Sequence, residues 1–216
     1  MFDLQSILIR APGILLGLTI HEYAHGSVAY RRGDSTAYMA GRLSLNPLVH
    51  LDLLGTLMLL FGPFGWAKPV PVNANNLHNP RRDLMLVSAA GPAANIVCAG
   101  LLGIILRLCI NWYDGSMFWN YTVEILQMAF LINIGLSFFN LLPIPPLDGS
   151  NIIQGFIPHA VLPHYYRYVR YIPMVFLALI VIEWAFHIPT ISYILNPLFI
   201  PYFSFWKMLF LGGKVM

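Results

Sequence analysis

His21, Glu22, Tyr23, Ala24 and His25 form a His-Glu-x-x-His run at the end of a strongly apolar stretch. On a helix, positions i and i+4 share a face one turn apart, so both imidazoles can reach one metal ion. Glu22, between them, can then act on a water at that ion, as in zinc hydrolases. Two histidines do not complete such a site, which usually takes three protein ligands and keeps one position open. The residues offer Asp148 as the third. It lies in Asn140-Leu-Leu-Pro-Ile-Pro-Pro-Leu-Asp148-Gly149, where prolines at 143, 145 and 146 unwind the chain and Gly149 frees it to turn a carboxylate inward. An ionisable group at membrane depth is costly and marks a functional candidate. The alternative is that Asp148 caps a helix beginning at Ser150 and Asn151.

Other polar residues compete less well. Glu124 sits near the opposite end of its apolar segment, and Glu183 with His187 reads as a local i, i+4 pair. His50 and Asp52 stand where a further apolar run begins and could touch the edge of the site. His78, His159 and His164 fall in polar loops. Asn140 and Asn95 carry amides in apolar runs; each could steady a substrate backbone or an oxyanion, or bond a neighbouring helix. Cys98 and Cys109 are about 16 Å apart along a helix, too far for a disulfide, and read as packing residues.

The elements that must position these groups are membrane helices. Of 216 residues, 58% are hydrophobic and 10% charged, and mean hydropathy is +0.68. A soluble protease would need a charged surface that this composition cannot supply. The net charge of +3 comes from scattered Lys and Arg, which gives a nucleic-acid role little support. Apolar runs fall at 7–30, 84–110, 123–142, 172–186 and 191–211, the last broken by Pro197 and Pro201, with a further run at 48–64. The first run carries the motif, so it is expected to be kept as a span and not removed as a signal peptide. Basic residues flank the segments at Arg31, Arg32, Arg42, Lys68, Arg81, Arg82, Arg167 and Arg170, whereas the loop 111–120 holds Asp114 and no Lys or Arg. The positive-inside tendency then places the basic loops in the cytoplasm, and the chain over 41–82 must leave and return on one side. The run 48–64 is read as re-entrant, with 65–73 returning in extended form because its prolines forbid a helix. Irregular backbone at that depth must face protein or a water-filled cavity, so this unit should line the site. The expected fold is an all-α polytopic membrane protein of about five to six transmembrane helices with a re-entrant, partly extended segment. It forms a single domain over 1–216, with its core at 7–155 and C-terminal helices at 172–211.

The combination resembles the site-2 proteases, intramembrane zinc metalloproteases. The resemblance rests on His21-Glu22-Tyr23-Ala24-His25 and on the Asn-x-x-Pro-x-Pro-x-x-Asp-Gly pattern ending at Gly149. It rests also on Gly91-Pro92-Ala93-Ala94-Asn95 and on Gly65-Trp-Ala-Lys-Pro-Val-Pro-Val, which is similar to the short prokaryotic branch. It covers residues 10–155. It implies His21, His25 and Asp148 as ligands of one Zn2+ per chain, with Glu22 as general base. It further implies a cytosol-facing site in a prokaryotic cytoplasmic membrane, and single-span membrane proteins as substrates. With no room for an inserted PDZ domain, substrate choice would come from the membrane core. A helical substrate must unwind before cleavage, and the stretch Lys68, Pro69, Val70, Pro71, Val72 and Asn73 could offer an edge to the unwound chain. A catalytically silent scaffold would have lost Glu22 or a ligand, and all are present. A transporter would be expected to carry paired inverted repeats, and none is evident.

Overall fold

The structure, a computed structural model, describes residues 4–55, 58 and 65–212. Its helices run in the order α1 (Leu4–Arg31), α2 (Thr36–Met39), α3 (Pro80–Asn111), α4 (Met117–Leu141), α5 (Asp148–Phe156), α6 (Leu162–Val169), α7 (Ile172–Phe186) and α8 (Thr190–Leu211). Among the described residues, five stretches are long and apolar enough to cross a membrane: α1, α3, α4, the α6–α7 stretch Leu162–Phe186, and α8. Among the described residues, β structure is limited to one bridge, Leu51 with Ala67. This is the all-α polytopic membrane protein that the composition predicts.

The centre of the bundle is α1, α3 and α4 packed against one another. Along α1 the residues Ile9, Gly13, Gly17, His21, His25 and Ala29 are buried, one every four positions. Four-residue spacing keeps them on a single stripe. Its small members allow close approach without a hydrophobic force between lipid-immersed helices. A Cβ on Gly13 would stand 2.7 Å from the Ala129 Cα, and one on Gly17 would stand 3.2 Å from Asn133 Oδ1. The same stripe that seats α1 on α4 thus carries the two histidines.

Pro197 and Pro201 lie inside one continuous helix, contrary to the break expected there. Each removes a single backbone donor, and packing keeps the segment helical. Phe199 and Tyr202 meet Phe138, while Phe203 and Phe210 meet Phe130 of α4. Leu211 joins Ala99, Leu106, Phe130 and Ile134 in the largest buried apolar cluster among the described residues. Cys98 and Cys109 are both free, and Cys98 packs with Leu102 and Ala129.

Within the run 48–64, residues 56, 57 and 59–64 lie outside the described residues. Its flanks are described: the His78 N–H donates to the Arg32 carbonyl at 3.0 Å, and Arg32 Nε stands 3.8 Å from Asp83 Oδ1. The chain between α1 and α3 therefore leaves and returns at the same end of the bundle. Asp34, fully buried, organises that end. It accepts from the Thr36 N–H and hydroxyl, the Asn73 N–H and Asn76 Nδ2. Burial alone would raise the Asp34 carboxyl, but bonds from Thr36, Asn76 and Asn73 overcome it and hold the group below its ordinary 3.8. A depressed folded-state value means the stabilisation is complete above the unfolded-state value and is lost as pH falls through the folded one. Thermal melts of detergent-solubilised protein should therefore show an acid-induced drop below about pH 4. In Asp34→Asn that drop should be smaller, from a lower neutral-pH starting point.

Candidate metal centre

His21 and His25 occupy successive turns of α1, so their rings project to one side. Their Nε2 atoms stand 3.0 Å apart with the rings edge to face. Asp148, the first residue of α5, brings Oδ2 to 3.1 Å from His21 Nε2 and 3.3 Å from His25 Nε2. The far side of each ring is fixed. His21 Nδ1 meets Asn95 Oδ1 at 2.7 Å, and His25 Nδ1 meets the Val87 carbonyl at 2.7 Å. Both outer partners can only accept, so each Nδ1 carries the proton and each Nε2 presents a lone pair. Two imidazole lone pairs and a carboxylate oxygen then converge where no protein donor reaches Asp148 Oδ2. Three acceptors in buried contact repel unless a cation or proton sits between them. The donor set suits zinc, which takes imidazole and carboxylate in tetrahedral sites.

α5 carries Asp148 and is held to α3 at both ends. Asn151 Nδ2 donates to Ser88 Oγ at 3.1 Å, and Arg81 donates to the carbonyls of Gln154 and Ile157. Gly149 is required for a different reason from the turning freedom expected of it. Any Cβ there would overlap the Leu141 and Leu142 carbonyls, where α5 folds back across the end of α4. Asp148 is therefore part of a helix and of the cluster at once.

Glu22 lines the same cleft of about 360 Å3, together with Val70, Asn140 and Asn151. Its Oε2 accepts the Val70 N–H at 2.7 Å. That bond lays the extended stretch 65–73 across the mouth of the site. The Lys68 N–H goes to the His50 carbonyl and the Lys68 carbonyl accepts from Arg42. The Asn73 N–H goes to Asp34. Of the stretch, Gly65, Trp66, Ala67, Pro69, Val70 and Val72 line the cleft.

The two amides separate. Asn140 lines the cleft and donates to the Leu136 carbonyl. Asn95 has no exposed surface and stands behind His21, with Nδ2 given to the Gly17 carbonyl and Asn133 Oδ1. It holds a histidine and does not face the space a substrate would enter. His50 is buried and bonded to the Ser44 carbonyl, and Asp52 accepts from the Gly55 N–H; neither joins the cluster. Sequence reasoning missed Val87, whose carbonyl carries no side-chain signal. It also missed the role of Gly91, although its motif was noticed. A Cβ on Gly91 would lie 2.5 Å from His25 Nε2 and 2.7 Å from His21 Nε2.

The chain is similar to known proteins that are named as zinc metalloproteases. The model for peptidase family M50 matches residues 109–182, which include Asn140, the proline run and Asp148. The chain is 39% identical over 188 residues to a Bacillus subtilis protein named "Putative zinc metalloprotease YwhC", covering 86% of this chain and 83% of that one. It is 36% identical over 165 residues to the Mycolicibacterium smegmatis "Putative zinc metalloprotease Rip2", covering 71% of this chain. There it spans 57% of the relative's length. A Methanocaldococcus jannaschii protein named "Putative zinc metalloprotease MJ0611" is 26% identical over 153 residues, 71% of this chain and 73% of that one. No solved structure matches the chain. With a relative this similar over most of both chains, and the family model lying across Asp148, the chain belongs to peptidase family M50, the site-2 proteases.

Proposed function

We propose that the chain is an intramembrane zinc metalloprotease that hydrolyses peptide bonds in or near the transmembrane helices of single-span membrane proteins. The observation that carries the reading is the convergence of His21 Nε2, His25 Nε2 and Asp148 Oδ2 beside Glu22, within a bundle of membrane helices. These three side chains would hold one zinc per chain. Zinc, when bound, supplies the positive charge that polarises a water and the scissile carbonyl. Glu22, which lines the same cleft, takes the proton from that water and returns it to the leaving nitrogen. Asn140, which lines the cleft from α4, is available to hold the substrate backbone or the developing oxyanion.

Arg31, Arg32, Arg81 and Arg82 border the end of the bundle where the site lies, and the loop 111–120 at the far end has no basic residue. This charge pattern supports a cytosol-facing site in a prokaryotic cytoplasmic membrane. A substrate helix must give up its internal hydrogen bonds to expose a carbonyl, so helix-breaking or small residues favour cleavage. In the 68–73 stretch Pro69 and Pro71 have no N–H and the Lys68, Val70 and Asn73 N–H groups are taken, which leaves its carbonyls and the Val72 N–H to receive the unwound chain. Val70→Pro removes the donor that pins Glu22. We expect it to keep zinc but lower cleavage by about 10²-fold, the cost of misplacing a catalytic group by about 1 Å. Unchanged cleavage would remove the stretch from the mechanism.

The test of the whole reading is metal content and cleavage in detergent-purified protein, using a single-span reporter helix with a mid-membrane Gly-Gly pair. Wild type should hold about one zinc per chain and cut the reporter, while Asp148→Ala loses both. Full zinc retention in Asp148→Ala would move the third ligand elsewhere. Absence of zinc from wild type after reconstitution would overturn the proposal.

A further inference from the structure

We infer that Asn133 is a positioning residue for the metal centre, acting through Asn95 to keep the His21 Nε2 lone pair free. The inference rests on the zinc reading above. Asn133 lies on α4 and touches neither Asp148 nor the cleft. Its Nδ2 donates to the Ala129 carbonyl, one turn back, at 2.9 Å. A backbone carbonyl can only accept, so the amide end facing it must be the NH2. Oδ1 is then the end that faces Asn95, at 3.0 Å. That oxygen also only accepts, so Asn95 turns its Nδ2 toward it, and the second Nδ2 hydrogen goes to the Gly17 carbonyl at 3.0 Å. Asn95 is left with Oδ1 toward His21 Nδ1, which must carry the proton.

Each choice forces the next, from a carbonyl on α4 to the lone pair of a ligand atom on α1. Asn95 and Asn133 have no exposed surface, so water cannot substitute for a missing partner. The two histidines differ in this respect. His25 is oriented directly by the Val87 carbonyl, a group with one polarity. His21 is oriented by an amide, which can turn either end toward it and needs a second group to decide which. Asn133 Oδ1 and the Gly17 carbonyl, both acceptors, make that decision together. Without it the Asn95 amide can present its NH2 to His21, leaving the proton on Nε2 and the ligand blocked. The Gly17 carbonyl alone opposes that rotation.

The test uses zinc affinity, measured by chelator competition on the full-length detergent-solubilised protein. Asn133→Leu should weaken zinc about 10- to 100-fold, the usual cost of losing an outer-shell partner. Asn95→Asp presents only acceptors to His21 whatever lies behind it. In that background Asn133→Leu should change affinity by less than about 3-fold, a coupling that additive packing damage does not produce. In metal-free protein with 15N-labelled histidine, Asn133→Leu should shift part of the His21 signal to the Nε2–H tautomer. If leucine prevents folding, Asn133→Ala carries the same comparison. An equal loss in both backgrounds, or an unmoved tautomer, makes Asn133 a packing residue and overturns the inference. Unchanged affinity, with one zinc in wild type and none in His21→Ala, also overturns it while the metal reading stands. A wild type without zinc removes both.

Discussion

Gly91→Ala should empty the metal centre while leaving the helix that carries it folded. In a helix interior alanine is favoured over glycine by about 1 kcal/mol, and the crowding of a Cβ against the following Pro92 offsets part of that gain. The added methyl, however, would stand 2.5 Å from His25 Nε2 and 2.6 Å from the His21 Cε1, inside contact distance of both rings. Neither imidazole can step back without giving up its bond to Asn95 or to the Val87 carbonyl. The methyl therefore occupies the space of the ion. Zinc should fall below about a tenth per chain, and cleavage by at least about 10³-fold, as follows from several kcal/mol of lost charge stabilisation. Gly135→Ala is the control: it lies mid-helix in α4 with open space around its Cβ, and should leave both readouts intact. A Gly91→Ala protein that keeps zinc and activity would show that the two rings hold the metal elsewhere than between α1 and α3.

The parts of this site that could be read from sequence are those fixed by local geometry. His21 and His25 need only a helix to share a face, with Glu22 one position along, and any helix supplies that. Asp148 was legible because an acidic residue among prolines at a membrane helix end has few bland uses. Gly91 was noticed only as part of a motif. Its function is to be small opposite two residues some 70 positions away, and no local pattern encodes that. Asn95 was placed among substrate-facing candidates because an amide in an apolar run has no visible direction. Direction comes from Gly17 and Asn133, on two other helices. The continuity of α8 was misread for the opposite reason. Its prolines are strong local signals, overruled by aromatic contacts with α4 that only the packed bundle provides. For Gly149 the residue was right and the reason was not: the carbonyls it must clear belong to the preceding helix.

Glu22→Gln should separate binding from chemistry more sharply than any ligand variant. Glutamine has nearly the same shape, and its side-chain oxygen can still accept the Val70 N–H that Glu22 accepts at 2.7 Å. The extended stretch therefore stays across the cleft, and His21, His25 and Asp148 keep their places. Zinc should remain at about one per chain, and a single-span reporter should still bind. What is lost is the ability to take a proton and return it, worth roughly 10²- to 10⁴-fold in kcat. The contrast with Asp148→Ala decides the assignment, because that change removes the charge that holds the ion and should abolish binding of metal and chemistry together. Val70→Pro completes the comparison. It keeps the carboxylate of Glu22 but releases it from its anchor, so a smaller loss is expected with zinc still bound. If Glu22→Gln lost its zinc, Glu22 would be acting on the ion itself; if it cleaved at the wild-type rate, the proton would be moving through another group. Retained zinc with lost cleavage makes Glu22 the base, and makes Glu22→Gln the form in which an uncut substrate can be trapped and identified.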